Sequence, residues 1–348
     1  MTIQPDLSAQ TETVLYGLAY PAIRMVLRHT ADARGLTVLD DSASGLSLQA
    51  KHGQYHFAAR DDGIALSIRA TDPSGLQTLK DGLMSQLTTA QPDLADTVRW
   101  SDTGTGGQLP ANFHFVQVQS IAPLGRDFIR VRVRGTDLSS FKDGAIHFRL
   151  VLPPAGVAPV EWPHVSANGT TVWPKGDKAL HRPPYTTRRI NHATQELDFD
   201  VFVHEGGRVT EWARSVQPGA EIGIIGPTGG GMPDASRILI YGDETAFPAI
   251  ARILEHLPQG ATGQVHLFAQ SGAACDYPMA APTGLRVSWH DSTQDAALAN
   301  HALTQVAQHA GHFLWFASEK SQSQQVRAAF KTTQRDSENA YIAGYWTR

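Results

Sequence analysis

The run Arg182-Pro-Pro-Tyr185-Thr186-Thr187-Arg188-Arg189 places an aromatic ring and two hydroxyls between guanidinium groups. That combination suits a flavin. The ring of Tyr185 can stack on an isoalloxazine, and the hydroxyls and backbone amides can bond its polar edge. Arg182 and Arg188 can grip a pyrophosphate in two-point contacts. The same Tyr-Thr pair also reads as plain strand sequence.

Four further runs carry similar chemistry. His204-Glu-Gly206-Gly207-Arg208-Val209-Thr210-Glu211-Trp212 follows a predicted strand and opens a predicted helix. Its glycines let a ligand approach the backbone, and a helix N-terminus offers free N–H groups to a phosphate. A glycine turn beside a core tryptophan is the plainer reading. Tyr241-Gly242-Asp243-Glu244-Thr245-Ala246-Phe247-Pro248 is a strand, a polar turn and a helix with Pro in its first turns. A nicotinamide nucleotide could lie across it, although Asp243 and Thr245 also serve as ordinary caps. Trp315-Phe316-Ala317-Ser318-Glu319 ends another strand, and in a parallel sheet that brings Ser318 and Glu319 to the same rim. Gly344-Tyr345-Trp346 can cover a ring or anchor the chain terminus.

Other chemistries lack their residues. The single cysteine, Cys275, rules out disulfide frameworks, CxxC redox pairs and cysteine-held clusters. There is no P-loop, no GxSxG elbow and no HExxH, and no histidine pair falls on one helix face, so no metal site is expected. His256 and His301 read as surface residues. A net charge of −4 with interspersed signs gives no nucleic-acid arm. The polar start of the chain is not a signal peptide, and no apolar run is long enough to span a bilayer, so a cytoplasmic setting is expected.

The elements that must position these residues fall into three blocks, predicted as domains 1–104, 110–232 and 233–348. The first is a small α+β unit: a helix near Ala22–Ala33, strands near Leu46–Ala50, Tyr55–Ala59 and Ile64–Arg69, a helix opened by Asp72-Pro73, and a strand near Val98–Trp100. Ser101–Gly107 reads as a flexible linker. The second block, from Phe113, alternates apolar and polar residues in Val116–Val118, Ile129–Val133, Ile146–Leu150 and Leu197–Val201. It predicts an antiparallel β-barrel, interrupted by a long insertion from Pro153 to Pro184 and closed by a glycine-rich turn at Gly226–Gly231. The third alternates strands and helices, predicting a doubly wound parallel sheet with ligands at the strands' carboxyl ends.

In order and spacing, the five runs together resemble the siderophore-interacting protein family of ferredoxin-reductase-like flavoproteins, over about Phe113–Arg348. Gly242-Asp-Glu-Thr-Ala246 followed by Pro248-Ala-Ile250 is the most specific match. Val172-Trp-Pro174-Lys-Gly176 adds to it. The N-terminal block is similar to a small domain of unassigned function fused to such reductases. The resemblance implies FAD, with Tyr185 stacking on the flavin and Thr186 at its N5 edge as the catalytic pair. It implies cofactor contacts from Arg182, Thr187, Arg188, His204, Gly207, Val209 and Thr210. Gly242, Asp243, Glu244, Thr245, Ser318 and Glu319 would border NADPH or NADH, and Tyr345 and Trp346 would lie close by. The chain departs from the family pattern at Pro183, where arginine is usual, at Ser318, where glycine is usual, and at His290-Asp291, which follow Trp289 where an arginine is often found.

The activity implied is reduction of siderophore-bound iron(III) to iron(II), with a ferric siderophore as substrate. Arg189, Lys320, Arg327 and Arg348 are expected to lend positive charge to the pocket for an anionic siderophore. A general diaphorase-type reductase and a non-enzymatic siderophore-binding module are the alternatives, the second prompted by Pro183.

Overall fold

The computed structural model describes residues 7–34, 36–102, 106–292, 297–333 and 339–347. Three sheets organise the chain. The first contains β1 (Ala9–Tyr16), β2 (Thr37–Asp41), β3 (Gly45–Ala50), β4 (Gly53–Arg60) and β5 (Gly63–Ala70), in the antiparallel order β1-β5-β4-β3-β2. Helices α1 (Tyr20–Arg34) and α2 (Pro73–Ala90) cover its apolar face, burying Leu46, Phe57, Ile64, Leu66 and Ile68. Asp72 caps α2 by accepting the Gly75 N–H at 2.8 Å. The strand β1 escapes a hydropathy reading because its inward positions are Thr11, Thr13 and Leu15. Hydroxyls at two of three buried positions erase the apolar alternation. The strand expected at Val98–Trp100 is instead an extended segment after a short helix, α3 (Pro92–Thr97). It buries Trp100 in the core and makes one backbone bond to β1, from Ser101 N–H to Glu12 O.

The second sheet contains β6 (Phe113–Leu124), β7 (Phe128–Gly135), β8 (Ala145–Val151), β11 (Pro184–Thr186), β12 (Arg189–Asn191), β13 (Glu196–Phe202) and β14 (Glu221–Gly231). Its order is β11-β8-β14-β6-β7-β13-β12, and β11 and β12 are separated only by Thr187 and Arg188. At that break the Thr187 N–H bonds Ile146 O on β8, and the Arg188 N–H bonds Asp198 O on β13. Pairing passes from β8 to β13 across two residues, and the sheet closes into a barrel. Inside lie Val118, Val131, Val133, Phe148, Leu150, Phe199 and Ile224. Outside, Arg130, Arg132 and Arg134 on β7 face Asp200, Asp198 and Glu196 on β13, a ladder of opposite charges that fixes the register. The expected turn at Gly226–Gly231 is a continuation of β14, irregular where it pairs with His147 and Ala145. Glycine permits it. Gly229 has φ +72, and a Cβ there would stand 2.6 Å from the His147 ring. In the insertion, β9 (His164–Val165) and β10 (Thr171–Val172) form a two-stranded ribbon tied to α2 by Asp81, which accepts from the Thr171 N–H and hydroxyl. A short helix, α4 (Arg208–Ser215), follows β13.

The third sheet contains β15 (Arg237–Asp243), β16 (Thr262–Ala269), β17 (Leu285–Asp291), β18 (Phe313–Glu319) and β19 (Ala340–Trp346), in the order β17-β16-β15-β18-β19. Every pairing is parallel. Helix α5 (Phe247–His256) packs on one face, and α6 (Ala297–Gln308) and α7 (Lys320–Thr332) on the other. The chain builds outward from β15 to β17, then crosses to β18. The switch therefore falls at β15, where the carboxyl end is Gly242-Asp243. Among the described residues, no helix is long and apolar enough to cross a membrane.

Candidate functional site

A cavity of about 380 Å³ opens where the barrel meets the carboxyl ends of β15 and β19. Tyr185 and Thr186 form part of its wall, because β11 runs along the barrel rim beside β8. Tyr185 leans edge-on against Phe199 at 5.5 Å, and burial raises its phenol pKa. From the sheet side come Thr245, Gly344 and Tyr345. Three segments far apart in sequence thus share one space.

His147 and Arg149 complete the wall, and sequence reasoning passed over both. They occupy the outward positions of β8, between the core residues Ile146, Phe148 and Leu150. His147 stands opposite Thr186, and its Nε2 lies 2.9 Å from the Tyr345 hydroxyl. That contact bridges the barrel and the parallel sheet. Burial, reinforced by the Lys51 charge, pushes His147 down to about 4, so the imidazole is neutral at neutral pH. Arg149 stands opposite Pro184 and lines the cavity beside Pro183. Its Nη1 donates to Arg182 O at 2.9 Å. The available signal was the strand's alternation, which turns positions 147 and 149 away from the core residues at 146, 148 and 150.

Several expected contacts lie elsewhere. The Arg182 guanidinium sits over the Trp173 ring at 4.0 Å and does not line the cavity. Thr187 is fully buried at the strand break. Arg188 makes two bonds to Glu255 on α5, at 2.7 and 2.6 Å, and clamps the barrel to the parallel sheet. His204 reaches the cavity, while Gly207, Val209 and Thr210 do not line it. Thr210 is held locally, its hydroxyl accepting the His204 N–H and donating to Phe202 O. No side chain caps α4 at Gly207, so its N-terminus remains available to an anion.

At the switch point Asp243 is saturated. It accepts from the Thr245 N–H and hydroxyl through one oxygen, and from Ser318 Oγ and Trp346 Nε1, each at 2.8 Å, through the other. Burial raises its pKa against the pull of these bonds. Ser318, where a glycine was expected, therefore joins β18 to β15 and is not exposed to a ligand. Glu319 caps α7. Glu244 lines the cavity and accepts the Gln270 N–H at 2.7 Å, and burial raises its pKa. Gly242 lies behind it, where an added Cβ would meet Ala246 and Ile250 at 2.7 Å.

The expected substrate arginines and lysine are dispersed. Arg189 lies 3.8 Å from Glu255, Arg327 bonds Ile342 O on β19, and Lys320 begins α7. None lines the cavity. Arg348 lies outside the described residues.

The wall fits a flavin ring system: aromatic and proline surfaces at Tyr185, Pro184, Phe202, Pro248 and Tyr345, with Thr186, His147 and Thr245 as polar contacts. Arg149, His204 and the open start of α4 offer the phosphate chemistry.

Two family models match this chain. Residues 117–231 match the family model described as siderophore-interacting FAD-binding domain, and residues 235–348 the model described as siderophore-interacting protein. The NADPH-dependent ferric-chelate reductase of Escherichia coli is 28% identical over 242 residues, 67% of this chain and 92% of that protein. Ferric vibriobactin reductase ViuB of Vibrio cholerae is 32% identical over 155 residues, 41% of this chain, which spans about half (54%) of that protein. Among solved structures, a siderophore utilization protein from T. fusca superposes with a TM-score of 0.58 at 25% identity, covering 70% of this chain and 96% of that one.

Proposed function

The chain belongs to the siderophore-interacting protein family through residues 117–231 and 235–348, a flavoprotein oxidoreductase, and from that premise we propose that it is an FAD-dependent NAD(P)H:ferric-siderophore reductase. The observation that carries this reading is the cavity in which Tyr185, Thr186, His147 and Tyr345 meet at the carboxyl end of β15. Bound there, FAD would supply conversion of a two-electron hydride donor into one-electron reduction of iron(III).

In this reading the chain positions and shields. Tyr185 and Tyr345 would hold the ring system, and Thr186 would offer it a hydroxyl or backbone amide. His147, neutral and bonded to Tyr345, fixes that ring without adding charge. Arg149 takes the phosphate role that Pro183 leaves open, reaching the same rim from the neighbouring strand. The open end of β15, at Glu244 and Thr245, would receive the nicotinamide. Reduction weakens the preference of hard siderophore oxygens for iron, so the metal can leave without protein ligands. We propose three domains, 1–104, 110–232 and 233–348.

Purified protein is expected to bind FAD, to bleach anaerobically on addition of NADPH or NADH, and to release iron(II) to a trapping dye from ferric siderophores. Bleaching with turnover of simple quinones but of no ferric siderophore would favour a general diaphorase. A protein that takes up no FAD would overturn the reading.

A further inference from the structure

His266 on β16, His290 on β17 and His301 on α6 converge beneath α6, on the strand edge opposite β19. Their ligand nitrogens all lie within 4.8 Å of one another. His266 Nδ1 is 3.0 Å from His290 Nε2, and the Tyr241 hydroxyl is 3.2 Å from His301 Nδ1. His301, expected on the surface, is half-buried here.

The hydrogen-bond network assigns the His266 tautomer. Gln264 Oε1, which can only accept, is 3.0 Å from His266 Nε2, while Gln264 Nε2 faces His309 Nε2 at 3.3 Å. His266 Nε2 therefore carries the hydrogen, and Nδ1 turns a lone pair toward His290. An imidazole whose outer N–H is held by a carbonyl oxygen, with its inner lone pair facing other imidazoles, has the support that metal-binding histidines use. Four ligands at the usual zinc–nitrogen distance stand about 3.3 Å apart, within the range the cluster spans.

We propose that His266, His290 and His301 form a binding site for a divalent first-row transition metal ion of the zinc type, which pins α6 to β16 and β17. Three neutral imidazoles without a carboxylate favour such an ion over Mg²⁺ or Ca²⁺. The site stands apart from the flavin cavity and does not depend on the proposed reductase activity.

The test uses the full chain, free of any affinity tag and stripped with chelator. Zn²⁺ is expected to bind one-to-one in calorimetry and to raise the melting temperature. Co²⁺ is expected to give the visible bands of a tetrahedral nitrogen site, abolished by Zn²⁺. His290→Asn and His301→Asn should each weaken Zn²⁺ more than tenfold, and Gln264→Ala about tenfold through its support of His266. His192→Asn, at an exposed histidine elsewhere, should leave binding unchanged. Absence of saturable binding, or equal binding by wild type and all variants, would overturn the site and leave a hydrogen-bonded histidine cluster. The Co²⁺ spectrum of the wild type decides the matter even if a variant fails to fold.

Discussion

Two polar regions meet at the seam between barrel and parallel sheet, and they behave oppositely. One is closed. Arg188 grips Glu255, and Asp243 accepts four bonds from Thr245, Ser318 and Trp346. The other is open. His147, Arg149, Tyr185 and Thr186 face the cavity. The strongest charges of the sequence motifs lie in the closed region, and they hold the two sheets in place. The open region combines uncharged groups with Arg149, brought together by where the strands put them. Charge in a motif therefore marks the frame of this site as readily as its contacts.

Removing the clamp should have the largest effect. Arg188→Ala strands Glu255 beside a buried hole. The arginine is 3% exposed and the glutamate 32%, so the loss should be about 3 kcal/mol, the lower end for a broken buried pair. Urea unfolding measures it. If Arg188→Ala instead lost FAD at unchanged stability, the arginine would belong to the open region.

Acid should act next, through His147. Its folded value of about 4 lies below the ordinary 6.5, so below pH 6.5 the unfolded chain takes the proton first. Its contribution is complete above pH 6.5 and declines as pH falls toward 4. By pH 5 about 2 kcal/mol of it is lost. His147→Asn should flatten the stability–pH curve in this window, and an unchanged slope would show that other groups set it.

Arg149→Ala should weaken FAD binding about tenfold, roughly 1.4 kcal/mol, without moving the unfolding midpoint. Flavin fluorescence titration separates this from a stability effect. An unchanged FAD affinity would remove Arg149 from the phosphate role. Smallest of all, Arg189→Ala and Lys320→Ala should each change stability and siderophore KM little, below about 0.5 kcal/mol, since neither lines the cavity. A severalfold rise in KM would extend the substrate site beyond it.

Much of the fold was legible because the barrel strands alternate and the parallel strands are continuous apolar runs. Legibility failed where buried positions carry hydroxyls, as in β1, or where glycine continues a strand, as in β14. Hydropathy carries no signal for either. Among the residues that line the cavity, Tyr185 and Thr186 belong to one run singled out in the sequence, and Thr245 and Tyr345 to two others. His147 and Arg149 were not singled out, since a polar residue on a strand's outer face is the ordinary case.

The sequence by itself determined most of the barrel and parallel-sheet strands and the helices between the latter, and that Gly242–Pro248 ends a strand and begins a helix. Those properties follow from local periodicity and capping. Only the tertiary structure decided which arginine lines the cavity. The chain breaks at Thr187-Arg188 so that the barrel can close, which turns Arg188 toward α5 and leaves Arg149, opposite Pro184, on the cavity rim. Side-chain direction in a strand alternates every residue, so register and closure, which no local pattern contains, assign each charge to the frame or to the site.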